Sequence, residues 1–457
     1  MRYVSTRGQA PVLSFKEVLL AGLASDGGLY VPETIPEFSP QQLSRLATLS
    51  YNDLAYEIIA PFVGDSFSEK QLREMIEAAY AEFSHGAIAP LTQLAHDQFV
   101  LELFHGPTLA FKDFALQLLG QLMDTALKDE KKKSIIVGAT SGDTGSAAIA
   151  GLRGRENIDI VILYPEGRPS EVQRRQMTTV ADANVHALAV KGTFDDCQDL
   201  VKSCFADAAL RRNVNLLAVN SINWARVMAQ IVYYFYAALA LGAPARRVNF
   251  CVPTGNFGDI YAGYIARRMG LPVGKLIIAT NSNDILARCL KTGEYKATKV
   301  SETLSPSMDI QVASNFERVL FDLYGRDGKR IVQMMHDFKV TKSLHLSSAI
   351  LADFKTAFDA YAVDDATTLS VIKTTHARCG YMLDPHTAVG VKAAAQHTGI
   401  TVTLATAHPA KFPDAVKQAT GCIPVLPAHI ADIMTRPERI HFMENNLETL
   451  KALVLGL

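Results

Sequence analysis

The sequence predicts an α/β protein built on mostly parallel sheets, and three observations carry that prediction. Short, β-branched apolar runs recur along the chain after about residue 130. Between them lie longer segments with apolar residues at helical spacing. Twice, such a run passes through a glycine-rich loop straight into a helix start. Strands that are apolar throughout, rather than alternating, are those covered on both faces by helices, as in a parallel sheet.

Taken in order, residues 1–85 read as a separate helical cap on a larger body. LSFKEVLLAGL and SEKQLREMIEAAYAEF have helical periodicity, with Ser68 and Gln71 spaced as a capping box. SDGGLYVPETIPEFSP between them is a Gly/Pro-rich connection. KSIIVGA, IDIVILYP, VHALAV, RVNFCVP, KLIIAT and ITVTLATA read as strands, and FDDCQDLVKSCFADAAL and NWARVMAQIVYYFYAALAL as helices. The greasiest stretch, IVYYFYAALALGAP from Ile231, is shorter than the roughly 20 residues that span a bilayer. It is expected to be a buried helix, so no membrane partner is expected.

Composition narrows the function class. The 457 residues are 49% hydrophobic and 20% charged, which excludes a disordered or low-complexity chain. Forty-five basic residues against 46 acidic leave a net charge of -1, with no basic excess to drive nucleic-acid binding. The six cysteines form no CxxC pair, and the 12 histidines are scattered singly. No metal site is expected, a disulfide scaffold is disfavoured, and a reducing compartment is the default. The opening MRYVSTRGQAPVLSF lacks the apolar core of a signal peptide, so a cytoplasmic enzyme is expected.

Chemistry has three places to sit. SIIVGATSGDTGSAAIAG and RVNFCVPTGNFGDIYAG share one plan: strand, glycine loop, helix. Glycines permit backbone conformations closed to other residues, and a helix N-terminus aims N–H groups at an anion. Neither segment matches GxGxxG or GxxxxGK[ST], which disfavours a nicotinamide-dependent oxidoreductase. An ordinary strand-to-helix turn explains either loop alone, whereas two in one chain suit a ligand with two anionic groups. The third place is LFHGPTLAFKDFALQLL, where Lys112 stands among Phe111, Phe114 and an apolar helical run. Such a lysine either snorkels to water, the commoner case, or is desolvated into a neutral amine able to attack a carbonyl.

HGPTLAFKD, TSGDTG at 140–145, TGNFGD at 254–259, SPSMDI at 305–310, LDPHTAVG at 383–390 and TAHPAKF at 406–412 together resemble the threonine synthase family. YVSTRG and DGGLYVPE near the N-terminus are similar to that family as well, so the resemblance covers nearly the whole chain. It implies a pyridoxal 5'-phosphate enzyme of fold type II, tryptophan-synthase-β-like. Such an enzyme converts O-phospho-L-homoserine and water to L-threonine and phosphate by γ-elimination and β-addition. It also implies two α/β domains, here residues 86–124 with 236–457 as the larger and 125–235 as the smaller, mobile one. A monomer or homodimer is expected.

Under this resemblance Lys112 holds the cofactor covalently and is the catalytic base. Gly255, Asn256, Phe257, Gly258 and Asp259 form the cofactor-phosphate loop, in agreement with the anion site read from the residues. Ser141, Asp143, Thr144 and Gly145 belong to the loop for the substrate carboxylate. Many fold-type II relatives carry an asparagine where Asp143 stands, and an aspartate there is equally suited to capping a helix. Thr406, at the end of the Ile400–Ala405 run, is placed opposite the pyridine nitrogen, with His408 near enough to compete. Arg318 in SNFER and Lys411 in HPAKF are candidates for the substrate phosphate, although both suit solvated surface positions. Two rivals remain: another fold-type II lyase, such as a serine/threonine dehydratase or cysteine synthase, and a catalytically silent homologue that binds a phospho-ligand. SPSMDI and the N-terminal cap disfavour the first, and intact Lys112 with both loops disfavours the second.

Overall fold

Two sheets organise the computed structural model, which describes residues 1–457. The larger has six strands in the order Phe358–Ala362, Val273–Thr280, Val248–Pro253, Thr401–Ala405, Gln98–Glu102 and Leu91–Ala95. All neighbours are parallel except the last pair, an antiparallel hairpin at the edge. The smaller has five parallel strands: His441–Glu444, Val185–Lys191, Ile158–Pro165, Ser134–Ala139 and Leu216–Leu217. Thr401–Ala405 is buried at every position, as a central strand covered on both faces must be.

The smaller sheet corrects the expected domain division at its C-terminal end. Residues assigned to the larger body return to the smaller one, where His441–Glu444 adds a strand beside Val185–Lys191. The helix Leu447–Leu455 then buries Leu450 and Val454 in the apolar cluster of Val137, Val161 and Cys197. An exposed edge and an uncovered helix face explain the return: the sheet would otherwise show open hydrogen-bonding groups and bare apolar side chains.

Four helices, Phe15–Ala21, Pro40–Leu46, Tyr51–Val63 and Glu69–Tyr80, and a short antiparallel pair, Tyr3–Ser5 with Tyr30–Pro32, build the N-terminal region. The last helix starts with the expected box: Ser68 Oγ accepts from Gln71 N, and Ser68 N donates to Gln71 Oε1. The region is not a separate unit, contrary to expectation. Phe15, Ile58, Phe62 and Tyr80 share one apolar cluster with Phe114, Trp224 and Tyr233. The Trp224 ring stands 5.6 Å from Phe62 and 6.1 Å from Tyr3, so the N-terminal helices complete a core that the body leaves half open.

Two helices position the functional residues. Lys112–Asp129 packs backbone to backbone on Asp143–Leu152. A Cβ at Gly120 would lie 2.0 Å from Gly151 O, and one at Gly151 would lie 2.3 Å from Leu116 O. Only glycines allow that approach, and it brings the first residues of the two helices, Lys112 and Asp143, face to face. Trp224–Ala240 is buried along nearly its whole length, as its composition requires. No helix is long and apolar enough to cross a membrane.

Candidate active site

The C-terminal ends of the larger sheet's strands and the start of the Lys112 helix line a partly open cavity. Lys112, Arg226, the Gly255–Gly258 loop, Ser307, His386 and Thr406 line it. The segment before Lys112 is clipped in place from both sides. Phe111 N donates to Thr406 O at 2.9 Å, and His408 N donates to Leu109 O at 3.0 Å. Within the segment, Asp113 accepts from Thr108 N and Thr108 Oγ1 at 2.9 and 2.6 Å. A Cβ on Gly106 would strike Asp113 at 2.6 Å, so the HGPT glycine makes room for this turn. The clip sets the Lys112 side chain and Thr406 on the same cavity.

Lys112 Nζ lies 3.4 Å from Asp143 Oδ2 and 3.5 Å from Ser307 Oγ. Burial lowers its proton affinity below the ordinary lysine range, aided by the Lys411 and Arg226 charges and opposed by Asp143. Asp143 behaves in the opposite sense. Burial pushes its carboxyl up, but the Lys411 and Lys112 ammoniums outweigh it and hold it well below the usual range. Its Oδ1 accepts from Lys411 Nζ and Gln173 Nε2, both at 2.9 Å. Asp143 is the first residue of its helix and makes no cap, since the N-cap is Gly142. Ser307 Oγ donates to Asp143 Oδ2 at 3.1 Å. Ser307 N donates to His386 Nε2 at 3.2 Å, so that nitrogen accepts and the ring proton sits on Nδ1, 2.9 Å from Asp384 Oδ1. His386 is thereby a strut for the loop that carries Ser307.

The GNFG loop lines the cavity at a helix N-terminus, although its glycines work differently from the expectation. The left-handed residue is Phe257, at φ 65°, and neither Gly255 nor Gly258 has a positive φ. Such a backbone costs a side chain about 1–2 kcal/mol. Here it is held by the buried Phe257 ring, 5.4 Å from Phe316 and 5.8 Å from Phe358. The glycines provide closeness instead: a Cβ on Gly255 would sit 2.8 Å from Ser307 O. Asn256 O is held by Asn315 N and Nδ2, both at 3.0 Å. Helix Gly258–Arg268 then presents its N-terminal end to the cavity. Asp259 turns its side chain away to accept from Tyr233 at 2.5 Å and Tyr234 at 2.9 Å. Burial raises its carboxyl to about 6 against those two donors.

Arg226 is the functional residue that sequence reasoning missed. It is 5% exposed, lines the cavity, and has no partner for Nε or Nη1. Burial pulls its guanidinium down to about 10. A buried cation without an anion marks a place where an anion binds. The signal was legible: Arg226 is the single charged residue of WARVMAQIVYYFYAALA, with Gln230 one turn later on the same cavity.

Two expected phosphate ligands are not free to act as such. Arg318 is fully buried outside the cavity, donating from Nε and Nη2 to Tyr30 O, from Nη2 to Ile222 O, and from Nη1 to Asn315 Oδ1. It ties the N-terminal region to the body. Lys411 is fully buried, and its Nζ contacts Asp143 Oδ1, Thr108 O at 2.7 Å and Gln176 Oε1 at 3.1 Å. Its three protons are all committed. Of the 141–145 loop, Thr144 lines the cavity and Ser141 is exposed. Gly142 N and Gly145 N donate to Thr140 Oγ1 at 3.0 and 2.8 Å. Thr406 lines the cavity and His408 does not; the His408 ring packs 5.3 Å from Phe104.

The residues present suit pyridoxal phosphate: a desolvated lysine and a glycine loop at a helix N-terminus face one cavity. Comparison with known proteins agrees. Three family models match the chain: "Threonine synthase N terminus" over residues 2–80, "Pyridoxal-phosphate dependent enzyme" over 88–337, and "Threonine synthase, C-terminal" over 387–454. Threonine synthase of Pseudomonas aeruginosa is 53% identical, over 99% of this chain and 98% of its own. That of Saccharomyces cerevisiae is 42% identical, over 97% and 95%. The crystal structure of PLP-bound threonine synthase from Brucella melitensis superposes with a TM-score of 0.98 at 51% identity, covering 100% of this chain and 99% of that one.

Proposed function

The chain belongs to the threonine synthase family of fold-type II pyridoxal-phosphate enzymes, and from that premise we propose O-phospho-L-homoserine and water as its substrates. The products are then L-threonine and phosphate. Arg226 is the observation that carries the choice of substrate. The cofactor phosphate has its own holder in the GNFG loop, so the orphaned donors of Arg226 are left for a second anion in the same cavity. A substrate with a phosphate on Cγ supplies that anion, and serine or O-acetylserine does not.

When bound, the cofactor withdraws electrons from the carbon bearing the substrate's amino group, which makes its neighbouring protons removable. The protein's residues do the rest. Lys112 would hold the cofactor covalently and, once freed as an amine, would take the Cα proton. Burial lowers its proton affinity, which favours the amine over the ammonium. Asp143 Oδ2, 3.4 Å from Lys112 Nζ, accepts from that nitrogen once it is charged. Gly255, Asn256, Phe257 and Gly258 offer main-chain donors to the cofactor phosphate, with Asp259 anchoring the helix through Tyr233 and Tyr234. Thr406 presents a hydroxyl to the pyridine nitrogen. Thr144, with the main-chain N–H groups of Ser141, Asp143 and Thr144 that Thr140 leaves free, receives the substrate carboxylate. Residues 125–235, joined by the C-terminal strand and helix, form the smaller domain, and the cytoplasm is the proposed place of action.

Release of inorganic phosphate from O-phospho-L-homoserine, with threonine formed in equal amount, tests the assignment. Serine and O-acetylserine should turn over far more slowly. Faster turnover of either, without phosphate release from the phospho-substrate, overturns it.

A further inference from the structure

We propose that Lys411 is a positioning residue, whose ammonium pairs with Asp143 while the nitrogen of Lys112 gains and loses charge. The proposal rests on Lys112 being the cofactor lysine.

The two lysines beside Asp143 are not equivalent. Lys112 Nζ stands 3.4 Å away, opens onto the cavity, and has one further contact, Ser307 Oγ at 3.5 Å. Lys411 Nζ stands 2.9 Å away, is fully buried, and is locked by Thr108 O and Gln176 Oε1. Gln176 Nε2 also donates to Thr108 O at 3.0 Å, and Gln173 Nε2 to Asp143 Oδ1 at 2.9 Å. Two amides one turn apart on the helix Glu171–Thr178 thus fix both members of the Asp143–Lys411 pair. Nothing in this arrangement leaves Lys411 a proton for an incoming ligand.

The charge count explains why a second lysine is needed. Were the Lys112 ammonium to condense with the cofactor's aldehyde to a neutral imine, one water would leave and one proton would pass to solvent, and Lys112 would no longer balance Asp143. The same holds when Lys112 is freed as the neutral amine that accepts the Cα proton. With Lys411 present, the pair remains neutral at each stage. Without it, Asp143 would be an isolated buried carboxylate, which takes up a proton rather than stay charged. A protonated Asp143 no longer offers Oδ2 as a charged acceptor to Lys112. A neutral asparagine at 143 would need no such partner, so the acid and Lys411 depend on each other.

The test uses Lys411→Gln, Asp143→Asn and the double variant, with cofactor affinity measured by titration of visible absorbance. Lys411→Gln leaves Asp143 unmatched only once the cofactor is bound and should weaken cofactor binding by about a hundredfold, whereas Asp143→Asn leaves Lys411 unmatched before and after loading and should not weaken it on this account. The double variant should return to within about tenfold of the parent, because both charges are gone. Apo Lys411→Gln should melt close to the parent, since Lys112 still balances Asp143 there. Undiminished affinity in Lys411→Gln, or a double variant no better than the weaker single, overturns the proposal. If Lys411→Gln does not fold, the double variant decides alone. Lys112→Ala separates the two failures: a borohydride-fixed cofactor in that variant would overturn the Lys112 assignment itself, whatever the pair does.

Discussion

Arg226 is held at a cost to the fold, and that cost makes it testable from two directions. A guanidinium with Nε and Nη1 unpartnered inside the protein destabilises the chain, and the penalty is recovered only when an anion arrives. Arg226→Met keeps the length and apolar stem while removing the charge. Its kcat/KM for the phospho-substrate should fall by about a hundredfold or more, as expected for a lost charge-assisted contact. Its melting temperature should rise by a few degrees, on the order of what 1–2 kcal/mol produces. Cofactor affinity should change little, since the GNFG loop is untouched. Unchanged kcat/KM would show that the substrate phosphate sits elsewhere. Arg318 makes the contrast: its donors end on carbonyls and Asn315, so replacing it should loosen the N-terminal region rather than the chemistry.

The loop between the strand Val248–Pro253 and the helix Gly258–Arg268 works by proximity, and its two glycines are therefore unequal. At Gly255 a Cβ would meet main chain, Ser307 O at 2.8 Å, and the colliding peptide carries Ser307 itself. At Gly258 the nearest atom is the side-chain Asn315 Nδ2, at 3.2 Å, which has room to turn. Gly255→Ala should weaken cofactor binding by tenfold or more, about the effect of losing one good hydrogen bond to a charged group. Gly258→Ala should be milder, and titration of the two variants against cofactor settles the order. The reverse order would place the cofactor phosphate nearer the helix end than the loop.

That inequality was not legible in the sequence, which shows glycines but not what they touch. Central strands such as Ile158–Pro165 and Thr401–Ala405 were readable, because burial on both faces leaves short runs rich in β-branched and apolar residues. The Leu91–Ala95 and Gln98–Glu102 hairpin was not, because an edge carries Gln93 and Gln98 and loses the pattern. Lys112 was readable from its setting in HGPTLAFKD. Arg318 and Lys411 were misread because a sequence shows a cation but not whether carbonyls and carboxylates already use its protons.

The C-terminal return couples the far end of the chain to the centre of the cavity. Glu438 accepts from Arg174 at 3.0 Å and from Thr178 Oγ1 at 2.7 Å, and Arg439 N donates to Thr178 O at 2.6 Å. These bonds grip the helix Glu171–Thr178, whose Gln173 and Gln176 hold Asp143 and Lys411. Beyond Arg439 the chain adds its strand to Val185–Lys191 and buries Met443, Leu450 and Val454. Ending the chain at Arg436 removes both the grip and those three apolar side chains. At about 1.5–3 kcal/mol for each buried side chain, the loss approaches the whole stability of an ordinary domain. Calorimetry of the shortened protein should show the smaller sheet melting well before the rest. Amide exchange should quicken along Val185–Lys191 while Val248–Pro253 stays protected. Cofactor affinity should fall as well, because the two glutamines lose their support. A shortened chain that melts in one transition at the parent's temperature would mean that the return covers the sheet without stabilising it.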